Sequence, residues 1–263
     1  MGFDPARHRL LFVGGLHRSG TTLLADLIAA HPQVSGFANT GVPADEGQHL
    51  QDVYPTARAY GGPGRFGLAP DAHMTETHEL VSPDRRARLL AAWEPHWDLA
   101  KAVLVEKSPP NLIRTRFLQA VFPGATFAIV VRHPIPVTLA TARWRGTRQL
   151  GPLVEHWLRC HEQFAVDEPS LEHVQVVRYE ELVDDAEKCV QRIWATVGLE
   201  AAPVETRVAP GSNEAYFEQW RALKRQPAVR AYLALTEARY ERRVKRFGYS
   251  LRDPGRPPDA WRP

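Results

Sequence analysis

Leu10-Leu-Phe-Val-Gly-Gly-Leu-His-Arg-Ser-Gly-Thr-Thr22 is the stretch that decides how the chain folds. Four apolar residues run straight into two glycines, which reads as a buried strand closing in a tight turn. Over 21–30, Leu23, Leu24, Leu27 and Ile28 fall on one helical face, and His31-Pro32 stops the helix. A strand that passes through a glycine-rich turn into a helix start aims several backbone N–H groups at one point, where the helix dipole favours negative charge. The chemical reading is an anion-binding loop. The plain alternative is a turn in which Ser19 or Thr21 merely caps a buried helix.

Outward from this stretch the same alternation repeats. Apolar periodicity predicts a helix over about 83–99, a strand at 102–106, a helix over 110–122 and a strand at 125–131. Helical segments follow over 134–145 and 151–166, then a strand at 174–178. Val183, Ala186, Val190, Ile193, Trp194 and Val197 keep a helical period up to Gly198, and a last helix covers about 227–247. Short apolar strands separated by amphipathic helices require crossover connections, so the expectation is an α/β fold: a parallel sheet flanked by helices on both faces. The whole chain, 1–263, reads as one domain. From about 37 to 82 periodicity is absent and glycine and proline recur, which reads as a long irregular lid or substrate segment.

Ligands of parallel sheets bind outside the carboxyl ends of the strands, so the residues after each strand carry the functional weight. The first loop resembles the Walker A pattern, but Thr21 stands where its lysine belongs and the cation has moved to Arg18. A kinase needs that lysine on the transferred phosphate beside Mg²⁺, which argues for a different anion and for no metal. Lys107-Ser108 sets a cation and a hydroxyl after the next predicted strand; the bland alternative is a solvated lysine beside a capping serine. Arg132 follows a wholly apolar run, as a bidentate anion donor at the sheet edge would, against the alternative of pairing with a surface carboxylate. Tyr179 brings a ring to the same edge, or simply packs on a helix that starts at Glu181.

His17-Arg-Ser-Gly-Thr-Thr-Leu-Leu24, Glu106-Lys-Ser-Pro109, Val130-Val-Arg-His-Pro134 and Val177-Arg-Tyr-Glu-Glu-Leu182, in this order, resemble the sulfotransferases that use 3'-phosphoadenosine 5'-phosphosulfate. The resemblance covers about residues 10–200 and implies a P-loop NTPase-like fold. It also implies a donor site in which Arg18, Ser19, Gly20, Thr21 and Thr22 hold the 5'-phosphosulfate, Arg132 the 3'-phosphate and Tyr179 the adenine, with adenosine 3',5'-bisphosphate as product and no metal. Relatives place a serine eight positions after the arginine; here that position is Ala140, with Thr138 and Thr141 nearby. The lysine of the second motif, Lys107, neutralises charge on the reacting group. The histidine base of many relatives would fall at Pro109. Others carry a glutamate after the first helix, which selects Glu46 first and His49 second within Asp45-Glu-Gly-Gln-His49; a helix over 45–51 would put both on one face. His73 and His78 are next in line.

Composition bounds the rest. There are 33 Lys and Arg against 30 Asp and Glu, 44% hydrophobic and 24% charged residues. This is an ordinary globular balance, too weakly basic for a dedicated nucleic-acid binder despite the run Arg239, Arg242, Arg243, Lys245, Arg246. Cys160 and Cys189 have no ligand-like spacing, so a reducing compartment, the cytoplasm, is expected, with no membrane span and no secretory signal. The partner implied is a hydroxylated acceptor, whether small molecule, glycoside or peptide; Tyr54, Tyr60 and Phe66 favour an aromatic or partly apolar alcohol. Two rival readings stand beside this one. One is a P-loop small-molecule kinase, for which Glu106 is the strand-end carboxylate available to Mg²⁺; the other is a non-catalytic anion- or phosphate-binding module.

Overall fold

The computed structural model describes residues 2–204, 213–258 and 261. Five strands form one sheet: β1 (Arg9–Gly15), β2 (Val34–Gly36), β3 (Val103–Lys107), β4 (Thr126–Val131) and β5 (His173–Arg178). All are parallel, in the order β2-β3-β1-β4-β5. The helices are α1 (Thr21–Ala29), α2 (Pro83–Trp93), α3 (Thr115–Val121), α4 (Pro134–Arg145), α5 (Leu150–Asp167), α6 (Tyr179–Asp184), α7 (Ala186–Thr196), α8 (Glu214–Arg225) and α9 (Pro227–Lys245).

Because side chains alternate along a strand, each strand feeds two cores. Leu11, Val13, Val103, Val105, Ala128, Val130 and Val177 face one way and pack with Leu24, Ile28, Val190, Ile193 and Trp194 of α1 and α7. Leu10, Phe12, Leu104, Phe127, Ile129 and Val131 face the other way and meet Trp93, Phe117, Trp157, Trp220 and Leu233 from α2, α3, α5, α8 and α9. The expected α/β sheet covered on both faces is therefore what the chain forms. Each such fully buried large apolar side chain stabilises by about 1.5–3 kcal/mol.

Several element boundaries differ from the sequence reading, each for a local reason. The helix expected over 110–122 begins as 3₁₀ helix, Pro109–Ile113, and is interrupted at Arg114, whose φ −133° and ψ 12° are not helical, so α3 starts only at Thr115. The helix expected to 99 stops at Trp93, two residues before Pro95. The long period through Val183 and Val197 divides into α6 and α7, because Asp185 leaves the helical region and caps α7 by accepting from the Lys188 N–H at 3.0 Å. Two elements went unread: β2 is three residues long, and α8 lies in a stretch with only Phe217 and Trp220 as buried anchors.

The segment over 37–82 contains no α-helix, as expected, but it is not a loose lid. Short 3₁₀ turns punctuate it (Pro43–Asp45, Gly47–His49, Ala57–Tyr60, Phe66–Leu68, Pro70–Ala72). Val53, Tyr54, Ala57, Phe66, Ala72 and Met74 are buried in the larger core. Tyr54 and Phe66 are therefore core residues, not rings offered to an acceptor. The large exposed ring beside the loop is that of Trp144, 59% exposed and 5.8 Å from the His17 ring.

Candidate active site

The carboxyl ends of β1, β3, β4 and β5 bring the residues singled out in the sequence to one edge of the sheet. The loop after β1 turns through Arg18, which adopts a left-handed backbone with φ 70°, and Gly20 with φ 104°. Gly20, not Ser19 or Thr21, occupies the N-cap of α1, and no side chain caps the helix there. The first-turn N–H groups are left without a side-chain acceptor, as an anion site requires. Ser19 Oγ instead donates to the Leu16 carbonyl at 2.6 Å and holds the loop closed. A Cβ on Gly20 would stand 2.5 Å from the Tyr179 ring, so only glycine allows the loop and the ring this approach.

The register Val131↔Arg178 puts Arg132 and Tyr179, the next residue of each strand end, side by side. The Arg132 guanidinium lies 4.0 Å over the Tyr179 ring and donates from Nη1 to the Arg18 carbonyl at 3.0 Å, tying the third strand end to the first loop. Its Nε donates to Asn213 Oδ1 at 2.9 Å. Asn213 in turn donates to Glu180, which also accepts from the His133 N–H and the Tyr249 hydroxyl. Burial pulls the Arg132 pKa below its ordinary value, opposed by Tyr179 and Glu180. Arg132 is buried at this edge rather than exposed at the surface. The pair formed by Asn213 and Glu180 was missed in the sequence; Glu180 stood inside a quoted motif, and Asn213 carried no signal.

Lys107, at the end of β3, is buried rather than solvated. Its Nζ donates to the Ala44 carbonyl at 2.6 Å and stands 3.8 Å from Glu46 Oε1. Glu46 Oε2 accepts from Gln48 Nε2 at 2.5 Å and lies 3.6 Å from His49 Nε2. Glu46 and His49 thus meet, but through two 3₁₀ turns with an extended Glu46 between them, not through the helix over 45–51. Burial raises the Glu46 pKa, with Lys107 and Gln48 pulling the other way; burial lowers that of His49, helped by Lys107 and Arg58. Ser108 is not a side-chain cap. Its hydroxyl donates to Glu106 and accepts from the Gln48 N–H.

Other candidates are spent elsewhere. His73 pairs with buried Asp167 at 2.8 Å, and His78 Nδ1 accepts from the Leu80 N–H. Thr138 and Thr141, next to Ala140, line a small cavity with His17, Gly64, Leu153 and His156. His17 itself is buried with its pKa lowered to about 3, chiefly by desolvation and then by Lys107.

Arg18, the loop N–H groups, Lys107 and Arg132, with a glycine where a side chain would obstruct, form a donor set that suits anionic groups. Among the described residues no cluster of three His, Cys, Asp or Glu side chains forms a metal site, and no helix is long and apolar enough to cross a membrane.

The chain is similar to known proteins in sequence and in fold. Over 123 residues the chain is 28% identical to protein-tyrosine sulfotransferase 2 of Gallus gallus and 30% identical to protein-tyrosine sulfotransferase 1 of Danio rerio. Each match takes in 47% of this chain and under a third of the relative, 31% and 32%. The sulfotransferase domain of the Synechococcus PCC 7002 olefin synthase superposes with a TM-score of 0.53 at 17% identity, over 95% of this chain and 99% of that one. A sulfotransferase of Alicyclobacillus acidocaldarius does so at 0.50 and 17%, over 90% and 96%. Both likenesses are of fold, the P-loop NTPase-like fold of these proteins. The sulfotransferase family profile matches residues 11–203, a span that holds the first loop, Glu46, Lys107, Arg132 and Tyr179, and on that match the chain belongs to the sulfotransferase family.

Proposed function

We propose that the chain moves a sulfuryl group from 3'-phosphoadenosine 5'-phosphosulfate to a hydroxyl of an acceptor. The observation that carries this reading is the convergence of a lysine-free anion loop, a buried Lys107–Glu46 pair and the Arg132–Tyr179 stack on one sheet edge. In it, the loop Arg18, Ser19, Gly20, Thr21 and Thr22 binds the 5'-phosphosulfate through the N–H groups of Gly20, Thr21 and Thr22 and the side chains of Arg18, Thr21 and Thr22, with Ser19 shaping the loop through Leu16; Arg132 binds the 3'-phosphate, and Tyr179 lies against the adenine. Glu46 takes the proton of the acceptor hydroxyl as its oxygen bonds to sulfur. The bond from sulfur to the 5'-phosphate oxygen breaks and its electron pair stays on adenosine 3',5'-bisphosphate, where Lys107 and the loop offset the charge. His49, lowered in pKa and beside Glu46, is the second choice of base.

No metal is needed in this reading. The strand-end carboxylate that the kinase rival requires, Glu106, is wholly buried with both oxygens accepting from Ser108 and Asn111. One domain supplies both donor and acceptor sides, and the acceptor class stays open between a small alcohol, a glycoside and a peptide. The two unpaired buried cysteines support a reducing compartment such as the cytoplasm. Calorimetric titration tests the reading: adenosine 3',5'-bisphosphate binds in EDTA, and in a separate run without chelator ATP with Mg²⁺ does not compete. Preference for ATP with Mg²⁺ would return the chain to the kinase reading, and donor binding without transfer to any hydroxyl in an acceptor screen with labelled sulfonucleotide would leave a binding module.

A further inference from the structure

We infer that Glu106 is a positioning residue, which acts through the Ser108 hydroxyl and the Gln48 amide to fix the turn that carries Glu46. The inference rests on Glu46 being the group that matters at this edge.

Glu106 precedes Lys107 on β3 and is wholly enclosed. Its Oε1 accepts from Ser108 Oγ at 2.6 Å, and its Oε2 accepts from Asn111 Nδ2 at 2.5 Å. A serine hydroxyl has one proton. With that proton committed to Glu106, Ser108 Oγ meets the Gln48 N–H at 2.9 Å as an acceptor. The polarity of the chain is thereby set by the carboxylate: Gln48 N–H donates to Ser108, and Ser108 donates to Glu106. The same Gln48 then passes its side-chain amide to Glu46 Oε2 and accepts the Ala57 N–H at 2.8 Å.

The turn also rests directly on the carboxylate. A Cβ at Gly47 would stand 2.5 Å from Glu106 Cγ and 2.8 Å from its Cδ, so the backbone comes against the Glu106 side chain where any other residue would be excluded. Trp93 Nε1 holds the Gly47 carbonyl from the other side at 3.0 Å. A buried carboxylate is costly, and a packed apolar residue would serve stability better. An acceptor for two inward-pointing donors is what Glu106 supplies and an apolar residue cannot. The groups that face it and tune its charge are Lys107 on β3, Glu46 on the turn, and Arg114 and Tyr54. Burial, the largest influence, raises its pKa to about 7.

Ser108→Ala breaks the relay by replacing one neutral side chain with another, and Ser108→Thr restores the hydroxyl. The test follows the ¹³C-labelled Glu46 carboxyl through a pH titration and the exchange rate of the Gln48 amide proton, both by NMR on the whole chain without ligand. In Ser108→Ala, water reaches a loosened turn. The Glu46 midpoint drops toward the ordinary carboxylate value, because burial is what raises it. The Gln48 amide exchanges about tenfold faster, the factor one hydrogen bond of this kind is worth. Ser108→Thr shows neither change. A Glu46 midpoint unmoved in Ser108→Ala overturns the inference, as does Ser108→Thr behaving like Ser108→Ala. Should Ser108→Ala not fold, Glu106→Met, which keeps the length and removes the acceptor, decides through the Gln48 amide: protection unchanged refutes the relay, protection lost supports it. None of these readouts needs turnover, so failure of the sulfuryl-transfer reading would register separately, in the donor titration.

Discussion

The guanidinium of Arg132 stacks on the ring of Tyr179 while its Nη1 reaches the carbonyl of Arg18, so one side chain ties three strand ends together. A cation so held keeps its charge at the edge with little conformational freedom left to lose when an anion arrives. Arg132→Ala is therefore expected to weaken adenosine 3',5'-bisphosphate far more than AMP, which lacks the 3'-phosphate. A charge-assisted contact is worth about 1.5–3 kcal/mol, roughly a tenfold loss or more by calorimetry. Equal losses for the two nucleotides would take Arg132 away from the 3'-phosphate.

Glu46→Gln keeps the shape and removes the basicity. Turnover is expected to fall about 10²–10⁴-fold with donor affinity unchanged, and His49→Ala to cost much less. Kinetics of both variants on one acceptor found by screening decide the order; the reverse ranking would make His49 the base.

Gly20→Ala probes the approach of loop to ring. An added Cβ meets Tyr179 at 2.5 Å and must hold φ near 104°. Left-handed strain and overpacking together cost about 2–4 kcal/mol, or roughly 5–10 °C in melting temperature for a chain of this size. Donor affinity should fall with it. A wild-type melt and wild-type affinity would show that the loop yields easily.

Acid should unfold the protein through its histidines. Burial holds His17, His133 and His156 neutral down to about 3 and His161 down to about 4. In the unfolded chain they gain protons below their ordinary 6.5. The unfolded state thus binds more protons between pH 6.5 and 4, and stability drops as pH falls through that window, by up to about 1.4 kcal/mol per pH unit for each histidine. Glu106 has the opposite slope: its pKa, raised to about 7, makes the folded state the better proton binder from there down to the ordinary carboxylate value. Glu46 and Asp26, also raised by burial, lean the same way as Glu106, and these carboxyls are expected not to offset four imidazoles. Urea midpoints at pH 7.5, 6 and 5 check this, and a flat series would contradict it.

The sheet was legible because short apolar runs end at glycine, proline or a lone cation, and that pattern is local. It also puts Lys107, Arg132 and Tyr179 at or just after strand ends, where the structure has them. What could not be read depends on contacts between distant segments. Nothing local marks Gln48 as the partner of Ser108, 60 positions away, or Asn213 as that of Arg132, 81 away. Glu46 and His49 meet, but not through the continuous helix expected over 45–51, which the extended Glu46 interrupts. Tyr54 and Phe66 were mistaken for acceptor-facing rings because irregular backbone was equated with exposure, whereas here the irregular segment carries its own core anchors. β2 is too short for any period to register.

The all-parallel order of the sheet also has a cost during synthesis. β1 lies at its centre and is hydrogen-bonded to β3 and β4, both of which leave the ribosome long after it. At about 5–20 residues per second, Leu10 to Val13 wait on the order of ten seconds before Val131 emerges. Until β3 emerges the buried run has neither of its neighbours, and until Val131 emerges it still lacks β4. Newborn chains of this protein should therefore depend on chaperone capture of β1, and the anion loop behind it becomes rigid only when the second half of the sheet has docked.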